Sequence, residues 1–483
     1  MLSDELRNLA LEAAKQKSET NHLEIKSARQ GCPKIYDTLS SFSNQSGGGV
    51  ILFGLDEAKD YQICGVYDPA DLQRKIGEQC LQMEPVLRPL LTVAEMNEVF
   101  IVCAEIQEID IFRRPCFYKG AGRIKGSYVR VGDADRQMTE YEVYSFEAFR
   151  KKTQDELREV ERATLDDVKT DAFMDYFLKL KINKPNLADL PLDRIQILQG
   201  IIIRDHPTLA GILLFSQYPQ SFFPQLCITA VVVPGFEMGD TSREGERFID
   251  NARIEGTLPQ MVNQAVQFVR RNSAVRTVIN PESGLRQDKT EYPVTAVREI
   301  ILNALIHRDY SIHTDSAPIT VVLYKDRLVV ENPGGLYGRL TLDTLGTVSA
   351  DTRNPFLAGA MEVLGETENR FSGIPTIRKA MSQDQLPPPV FDSSRGTFRV
   401  TLYHASFAVK YGSDQFPLER LQKEILAFCS VPRNRKELSE QFSQLTPIYL
   451  MTRYVNPLVD QGLLQLIIPG KPKSKNQRFK SIS

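Results

Sequence analysis

The sequence predicts an α+β chain of several domains, and three observations carry that prediction. Its 483 residues exceed what one core fills, at about 100–200 residues per domain. Apolar runs of strand length (VILFGL, VFIVCAEI, ITVVLY, GTFRVTLY) alternate with segments of helical periodicity, with glycine and proline clusters between them. The C-terminal end is different again: RKELSEQF and IYLMTRYVNPLVDQG read as helices, and LLQLII as a strand followed by a lysine-rich loop.

Composition then narrows the function classes. Hydrophobic residues make up 42% and charged residues 25%, as in ordinary globular proteins, so disorder is not the theme. A formal charge of −2 excludes a globally basic nucleic-acid coat, and any such contact must come from a local patch. Seven cysteines, widely spaced and without a CxxC pair, argue against a disulfide framework or a zinc ribbon and suit a reducing cytosol. The opening segment MLSDELRNLALEAAKQ is an acid-bearing amphipathic helix, and no run approaches the ~18 apolar residues of a membrane span. A cytoplasmic location and no membrane partner are expected. GxxxxGK[ST] is absent from the sequence, which leaves a P-loop motor without its phosphate-gripping lysine loop.

Residues 1–140 read as the first domain. Leu23-Glu24-Ile25-Lys26 alternates like a strand and puts Glu24 and Lys26 on one face. The helical IYDTLSSFSN ends at Asn44, and Gly47-Gly48-Gly49 turns into VILFGL. Glu24, Lys26, Asn44 and Gly48 are the site candidates here. A metal nuclease needs converging carboxylates, and Glu24 has no acidic partner before it outside the first helix. The same residues suit an ion pair beside a tight turn. Further on, Arg113, Arg114, Lys119, Arg123, Lys125 and Arg130 are interleaved with Phe117, Tyr118 and Tyr128, and the run FRRPCFYKGAGRIKG contains no acid, a mix suited to phosphate contact and base stacking and also to a solvated strand face. The series EIKSA, FSNQSGGGVILFGLDE, ICGV and GSYVRVGDADRQMT resembles the Schlafen-type, Alba-like domain over residues 19–140. That resemblance implies RNA as a candidate partner.

Residues 141–165 read as a charged helical linker, with a continuous helix from Thr139 to about Arg162. Residues 166–285 read as a middle α/β domain with two extended apolar runs, TLAGILLFS and LCITAVVVPG, and a helix near Leu258–Arg271.

From 286 to 410 the pattern is an α/β sandwich. A helix opened by Pro293 runs to His307, with Glu299, Asn303 and His307 spaced i, i+4, i+8 along one stripe. Asn303 lies inside IILNALI, where an unpartnered amide costs a few kcal/mol. A magnesium-bound phosphate would satisfy it, and Glu299 one turn earlier would orient or deprotonate a hydrolytic water. LVVEN breaks at Pro333-Gly334-Gly335, where missing side chains let backbone approach a ligand, and Ser372-Gly373 opens a helix whose first amides suit phosphates. The alternative is that Asn303 and His307 cap the helix end with Arg308 and Asp309, and that the glycines are only turns.

This ensemble resembles the GHKL ATPase fold of histidine kinases, gyrase and the ninety-kilodalton heat-shock proteins, over roughly Glu291 to Tyr403. Glu299 and Asn303 match its E-x-x-x-N box, Asn332-Pro333-Gly334 falls at its D-x-G box, and Gly373 falls in its later glycine-rich box. REIILNALIHRDYS, ENPGGL, RNPFLAGAMEVLG and SGIPTIRKAM are similar to a divergent GHKL-like family of bacterial and archaeal regulators. The resemblance implies ATP and Mg²⁺ as ligands, Glu299 as the catalytic carboxylate and Asn303 as a magnesium ligand. It also implies His307, Asn332, Gly334, Gly335, Ser372, Gly373 and Thr397 as nucleotide contacts. Asn332 stands where the family box has an aspartate, and RFSG lacks a glycine the divergent family carries.

Residues 415–483 read as a winged helix-turn-helix domain whose tail gathers Lys471, Lys473, Lys475, Arg478 and Lys480 without an acid. The segment resembles the winged-helix ends of the same regulators. That implies Tyr449, Thr452, Arg453 and Asn456 as the outward face of a recognition helix, with Arg453 and Asn456 able to reach base edges and the lysines adding salt-sensitive affinity. Packing or dimerisation is the other use of such a domain. The chain as a whole reads as an ATP-responsive DNA-binding regulator, a homodimer or higher oligomer. A Schlafen-like metal-dependent ribonuclease and a scaffold with a degenerate nucleotide pocket are the alternatives.

Overall fold

The computed structural model describes all residues except 169, 188, 243, 280–285, 349–350, 367–371, 395, 404–424, 443–449, 461–462, 468–476 and 482–483. It divides into two compact units: Met1–Asp155 with Leu336–Thr341 and Ala350–Arg353, and Glu156–Gly335 with Leu342–Ser349 and Asn354–Ser483.

The first unit runs α1 (Ser3–Gln16), β1 (Leu23–Lys26), α2 (Tyr36–Asn44), β2 (Gly49–Phe53), β3 (Leu55–Asp56), β4 (Gln62–Ile63), α3 (Pro69–Leu81), β5 (Met83–Glu84), β6 (Leu90–Met96), β7 (Val99–Ile106), β8 (Phe117–Tyr118), α4 (Gly122–Gly126), β9 (Tyr128–Val131), β10 (Ala134–Gln137) and α5 (Glu140–Lys151). Its main sheet has the order β1-β2-β7-β6, with β1 parallel to β2 and the rest antiparallel. The two-residue period of a strand decides which face each side chain covers. Ile51 and Phe53 pack with Leu39 and Phe42 of α2 and Leu72 and Ile76 of α3, while Leu52 joins Leu6, Ala10 and Ala13 of α1. The helix expected to continue to Arg162 stops at Lys151. Lys152 turns left-handed at φ 52°, and Glu156 beyond it is wholly buried, which a solvated linker helix would not allow.

The second unit runs α6 (Asp171–Asn183), α7 (Leu192–Leu198), β11 (Ile202–Ile203), β12 (His206–Pro207), α8 (Leu209–Phe215), β13 (Ile228–Val232), β14 (Asp250–Ile254), α9 (Leu258–Arg271), β15 (Val275–Ile279), β16 (Arg286–Thr290), α10 (Val294–Ile306), β17 (Ile319–Leu323), β18 (Arg327–Pro333), α11 (Pro355–Leu364), α12 (Gly373–Gln383), β19 (Val390–Ser394) and β20 (Thr397–Tyr403). Its sheet has the order β14-β13-β17-β18-β20-β19. The stretches read as a middle domain and a nucleotide domain therefore share one sheet, joined where β13 runs parallel to β17 from the pair Ile228↔Ile319, and they share one core. TLAGILLFS is helical rather than extended. Thr208 caps α8 by accepting from the Gly211 N–H at 3.0 Å, and every residue of α8 is buried, so hydrophobicity alone carried no period to tell helix from strand.

Towards the C-terminus, β21 (Arg433–Asn434), β22 (Leu464–Leu466) and β23 (Arg478–Ser481) form an antiparallel sheet in the order β21-β23-β22. Helices Arg435–Gln441 and Asn456–Asp460 contribute Leu438 and Leu458 to a small core with Tyr454 and Phe479. Among the described residues no helix is long and apolar enough to cross a membrane.

Candidate nucleotide site

Helix α10 is apolar on most of its circumference, burying Val297, Ile300, Ile301, Ala304 and Leu305. It packs against α9, α12 and β18. Glu299 and Asn303 occupy its half-buried stripe, one turn apart, and the Asn303 amide donates from Nδ2 to Glu299 Oε1 at 3.1 Å. His307 follows as the exposed C-cap residue, its N–H on the Asn303 carbonyl at 2.9 Å.

The start of α12 lies against this pair. A Cβ on Gly373 would overlap Glu299 Oε1 and come within 2.9 Å of Asn303 Nδ2, so a side chain there would have to push back the ends of both. Ser372 just before it is exposed. The E-x-x-x-N box and the later glycine box, some seventy residues apart in the chain, are thus in contact.

The strand-end box is tied to the same helix by backbone. Asp309, just past α10, donates its N–H to the Pro333 carbonyl at 2.9 Å, and Gly334, at φ 106°, donates to Gly396 O at 2.7 Å. Thr397 lies opposite Pro333 in the β18–β20 register, with its hydroxyl on Ser394 O at 2.9 Å. Asn332 is buried at 4% exposure, and a Cβ on Gly335 would lie 3.2 Å from Ser393 Oγ.

Of the residues that hold this region in place, sequence reasoning passed over Asn354 and Glu156 and named Arg308 only as a capping partner. Asn354 donates to the carbonyls of Ile306 and Arg308 at 2.8 and 2.7 Å, satisfying backbone at the end of α10. Arg308 is buried, with one guanidinium nitrogen on Thr314 O at 2.7 Å, and burial lowers its pKa. Glu156 accepts from the Phe356 and Leu357 N–H groups at 2.9 and 2.8 Å and so caps α11. Arg308 carried a signal, a charge just after the apolar IILNALI, whereas Asn354 beside a proline and Glu156 within QDELREVER carried none.

The basic residues of the first unit are less free than their sequence suggests. Arg114 lies 3.4 Å from Glu108, Lys119 lies 3.5 Å from Glu84, and Arg123 pairs with Glu147 while lying over the Phe117 ring. The acids that neutralise FRRPCFYKGAGRIKG come from other parts of the chain. Arg113 and Lys125 are exposed, with no ion pair among the described residues.

Glu24, Lys26, Asn44 and Gly48 have structural partners. Glu24 is 5% exposed and takes an ion pair from Lys26 and another from Arg130 at 2.7 Å. Arg130 also reaches Asp135 at 3.0 Å and lies 3.8 Å from Glu19. Burial, and after it the neighbouring Glu24 charge, push the Glu19 carboxyl up to about 7 against a backbone hydrogen bond from Ile25. Asn44 accepts from Cys116 N at 2.7 Å and donates to the carbonyls of Cys116 and Tyr128 at 2.9 and 3.2 Å. Gly48 sits at φ 66°, where a Cβ would overlap the Ile106 carbonyl oxygen.

In the C-terminal region, Asn456 is exposed at the start of its helix, Arg453 lies in the turn Met451–Val455, and Arg478 is exposed on β23. Tyr449, Lys471, Lys473 and Lys475 lie outside the described residues. Among the described residues no three His, Cys, Asp or Glu side chains converge to hold a metal ion. A cation at Asn303 would need phosphate oxygens and water as its other ligands, the habit of Mg²⁺.

Residues 19–139 match the family described as "Schlafen, AlbA_2", and residues 316–402 match that described as "Putative ATP-dependent DNA helicase recG C-terminal". The second match takes in Asn332, Gly334, Gly335, Ser372, Gly373 and Thr397 and begins after Glu299, Asn303 and His307. A Corynebacterium diphtheriae protein known from its crystal structure is similar at 18% identity over 93% of this chain and 92% of its own, with a TM-score of 0.40. The N-terminal domain of a RecG-related protein from Nitrosomonas europaea is similar at 24% identity over 28% of this chain and 93% of its own, with a TM-score of 0.23. No curated protein matches the chain.

Proposed function

For a chain that pairs a Schlafen AlbA_2-type domain with an ATPase-like domain of the recG C-terminal type, we propose a nucleotide-responsive regulator that binds ATP-Mg²⁺ in the second unit and nucleic acid elsewhere. The observation that carries the reading is the meeting of Glu299, Asn303 and Gly373, three residues from two distant segments. Asn303 supplies the amide oxygen for the metal, and Glu299 lies one turn away to orient a water. The turn at Asn332–Gly335 is tied to the same helix for the base or ribose. DNA is the expected nucleic acid, through Arg453, Asn456, Arg478 and the lysines at 471, 473 and 475, with RNA at Arg113 and Lys125 of the first unit as the other candidate. ATP regulates only as far as it binds two conformations unequally. Glu24, engaged by Arg130 and Lys26, gives no comparable support to a nuclease.

Calorimetric titration of ATP-Mg²⁺ into the full chain, with Asn303→Ala alongside, tests the reading. Binding in the wild type that falls at least about tenfold in the variant is expected, the loss of about 1.4 kcal/mol. Absence of binding in the wild type removes the pocket, and DNA affinity that ignores ATP removes the coupling.

A further inference from the structure

Helix α12 begins in contact with the very residues proposed to hold the metal and the water, and a methyl group on Gly373 would have to push back the ends of both side chains. A metal-bound phosphate is far larger. The carboxylate that fills the gap, Glu299 Oε1, lies beside the first residue of an eleven-residue helix, where negative charge is stabilised by the helix dipole. A nucleotide phosphate would seek the same place for the same reason, and Glu299 would repel it there.

We propose that the docked start of α12 and bound ATP-Mg²⁺ exclude one another, with Glu299 standing in for the phosphate until the helix draws back. The proposal rests on the nucleotide-site reading above and adds its regulation. The remainder of α12 supplies the pivot. Ile377 and Met381 are buried in the core, and Asp384, just past the helix, pairs with Lys289 at 3.0 Å, whereas Ser372 at the opposite end is exposed. Gly373 is then the residue that lets the site close: a methyl group there pushes the Glu299 carboxylate away from the helix start, and alanine suits its helical backbone. Occupancy of the site would be read out as the position of α12, which is the differential contact a two-state switch requires.

Two measurements on the full-length protein test this. ATP-Mg²⁺ titrated into Gly373→Ala binds about 3- to 10-fold tighter than into wild type, because the closed state no longer competes. In the wild type, saturating ATP-Mg²⁺ speeds hydrogen exchange along α12. Weaker binding by Gly373→Ala, or slower α12 exchange with nucleotide, overturns the exclusion while leaving the site itself standing, since α12 would then be clamping the phosphates. If wild type and Gly373→Ala both fail to bind ATP-Mg²⁺, the site reading and the exclusion fall together.

Discussion

Glu24 and Glu299 are the two glutamates that the sequence offers as catalytic carboxylates, one in each unit, and their surroundings are opposite. Glu24 is buried on β1 between Lys26 and Arg130, and Arg130 is itself held by Asp135 and the carbonyls of Thr20 and Leu23. Asp135 in turn takes the hydroxyls of Thr38 and Ser41 at 2.7 and 2.6 Å. Glu299 is half-buried and accepts a hydrogen bond from the Asn303 amide, against a helix end that touches the pair through a glycine. The difference teaches where chemistry has room. A buried network of several charges holds neighbouring strands together, whereas a half-buried pair at the meeting of two helices can exchange one partner for another.

Removing the hub of the closed network should have the largest effect. The Arg130 side chain is 1% exposed, so Arg130→Met leaves Asp135 buried without its countercharge and Glu24 with Lys26 alone, and costs about 3–5 kcal/mol. Urea denaturation of the full-length protein, followed by a probe in the first unit, measures it. A cost under about 1 kcal/mol would place the cluster with ordinary surface pairs and erase the contrast with Glu299.

A second buried acid sharpens the comparison through pH. Burial pushes the Glu156 carboxyl up to about 7, against the two α11 amides that favour its charged form. Between the ordinary glutamate range near 4.5 and about 7, the folded state holds a proton that the unfolded chain has released, so stability falls as pH rises through that window. Glu156→Gln removes that component, and the wild-type advantage over the variant should shrink from pH 4.5 to 7. Glu19, also raised to about 7, contributes the same sign in both proteins and cancels in the difference. A difference that grows with pH would mean that the α11 amides outweigh burial.

Much of this was legible in the sequence, and what was not has identifiable physical causes. The E-x-x-x-N spacing put Glu299 and Asn303 on one stripe because the helical period requires it. The Glu24–Lys26 pair followed from the strand period in the same way. Arg130 was hidden, because a buried guanidinium in YVRV looks like a solvated one until its acids arrive from β1 and β10. The acids beside Arg114, Lys119 and Arg123 were hidden for the same reason, since charge balance is local in space and distant in sequence. The shared sheet was illegible because a parallel β13–β17 pair joins strands about ninety residues apart with no turn to announce it.

The smallest stability effect is expected at Asn303, and it completes the comparison. Its amide makes one hydrogen bond to a half-buried carboxylate, so Asn303→Ala forfeits a contact of about 1 kcal/mol and leaves Glu299 able to reach water. The same substitution is expected to remove ATP-Mg²⁺ binding, which separates the two roles. A residue kept for stability loses both together; one kept for a ligand loses binding while the urea midpoint scarcely moves. If Asn303→Ala costs as much as Arg130→Met, the pair on α10 is as closed as the cluster around Arg130, and its geometry serves the fold.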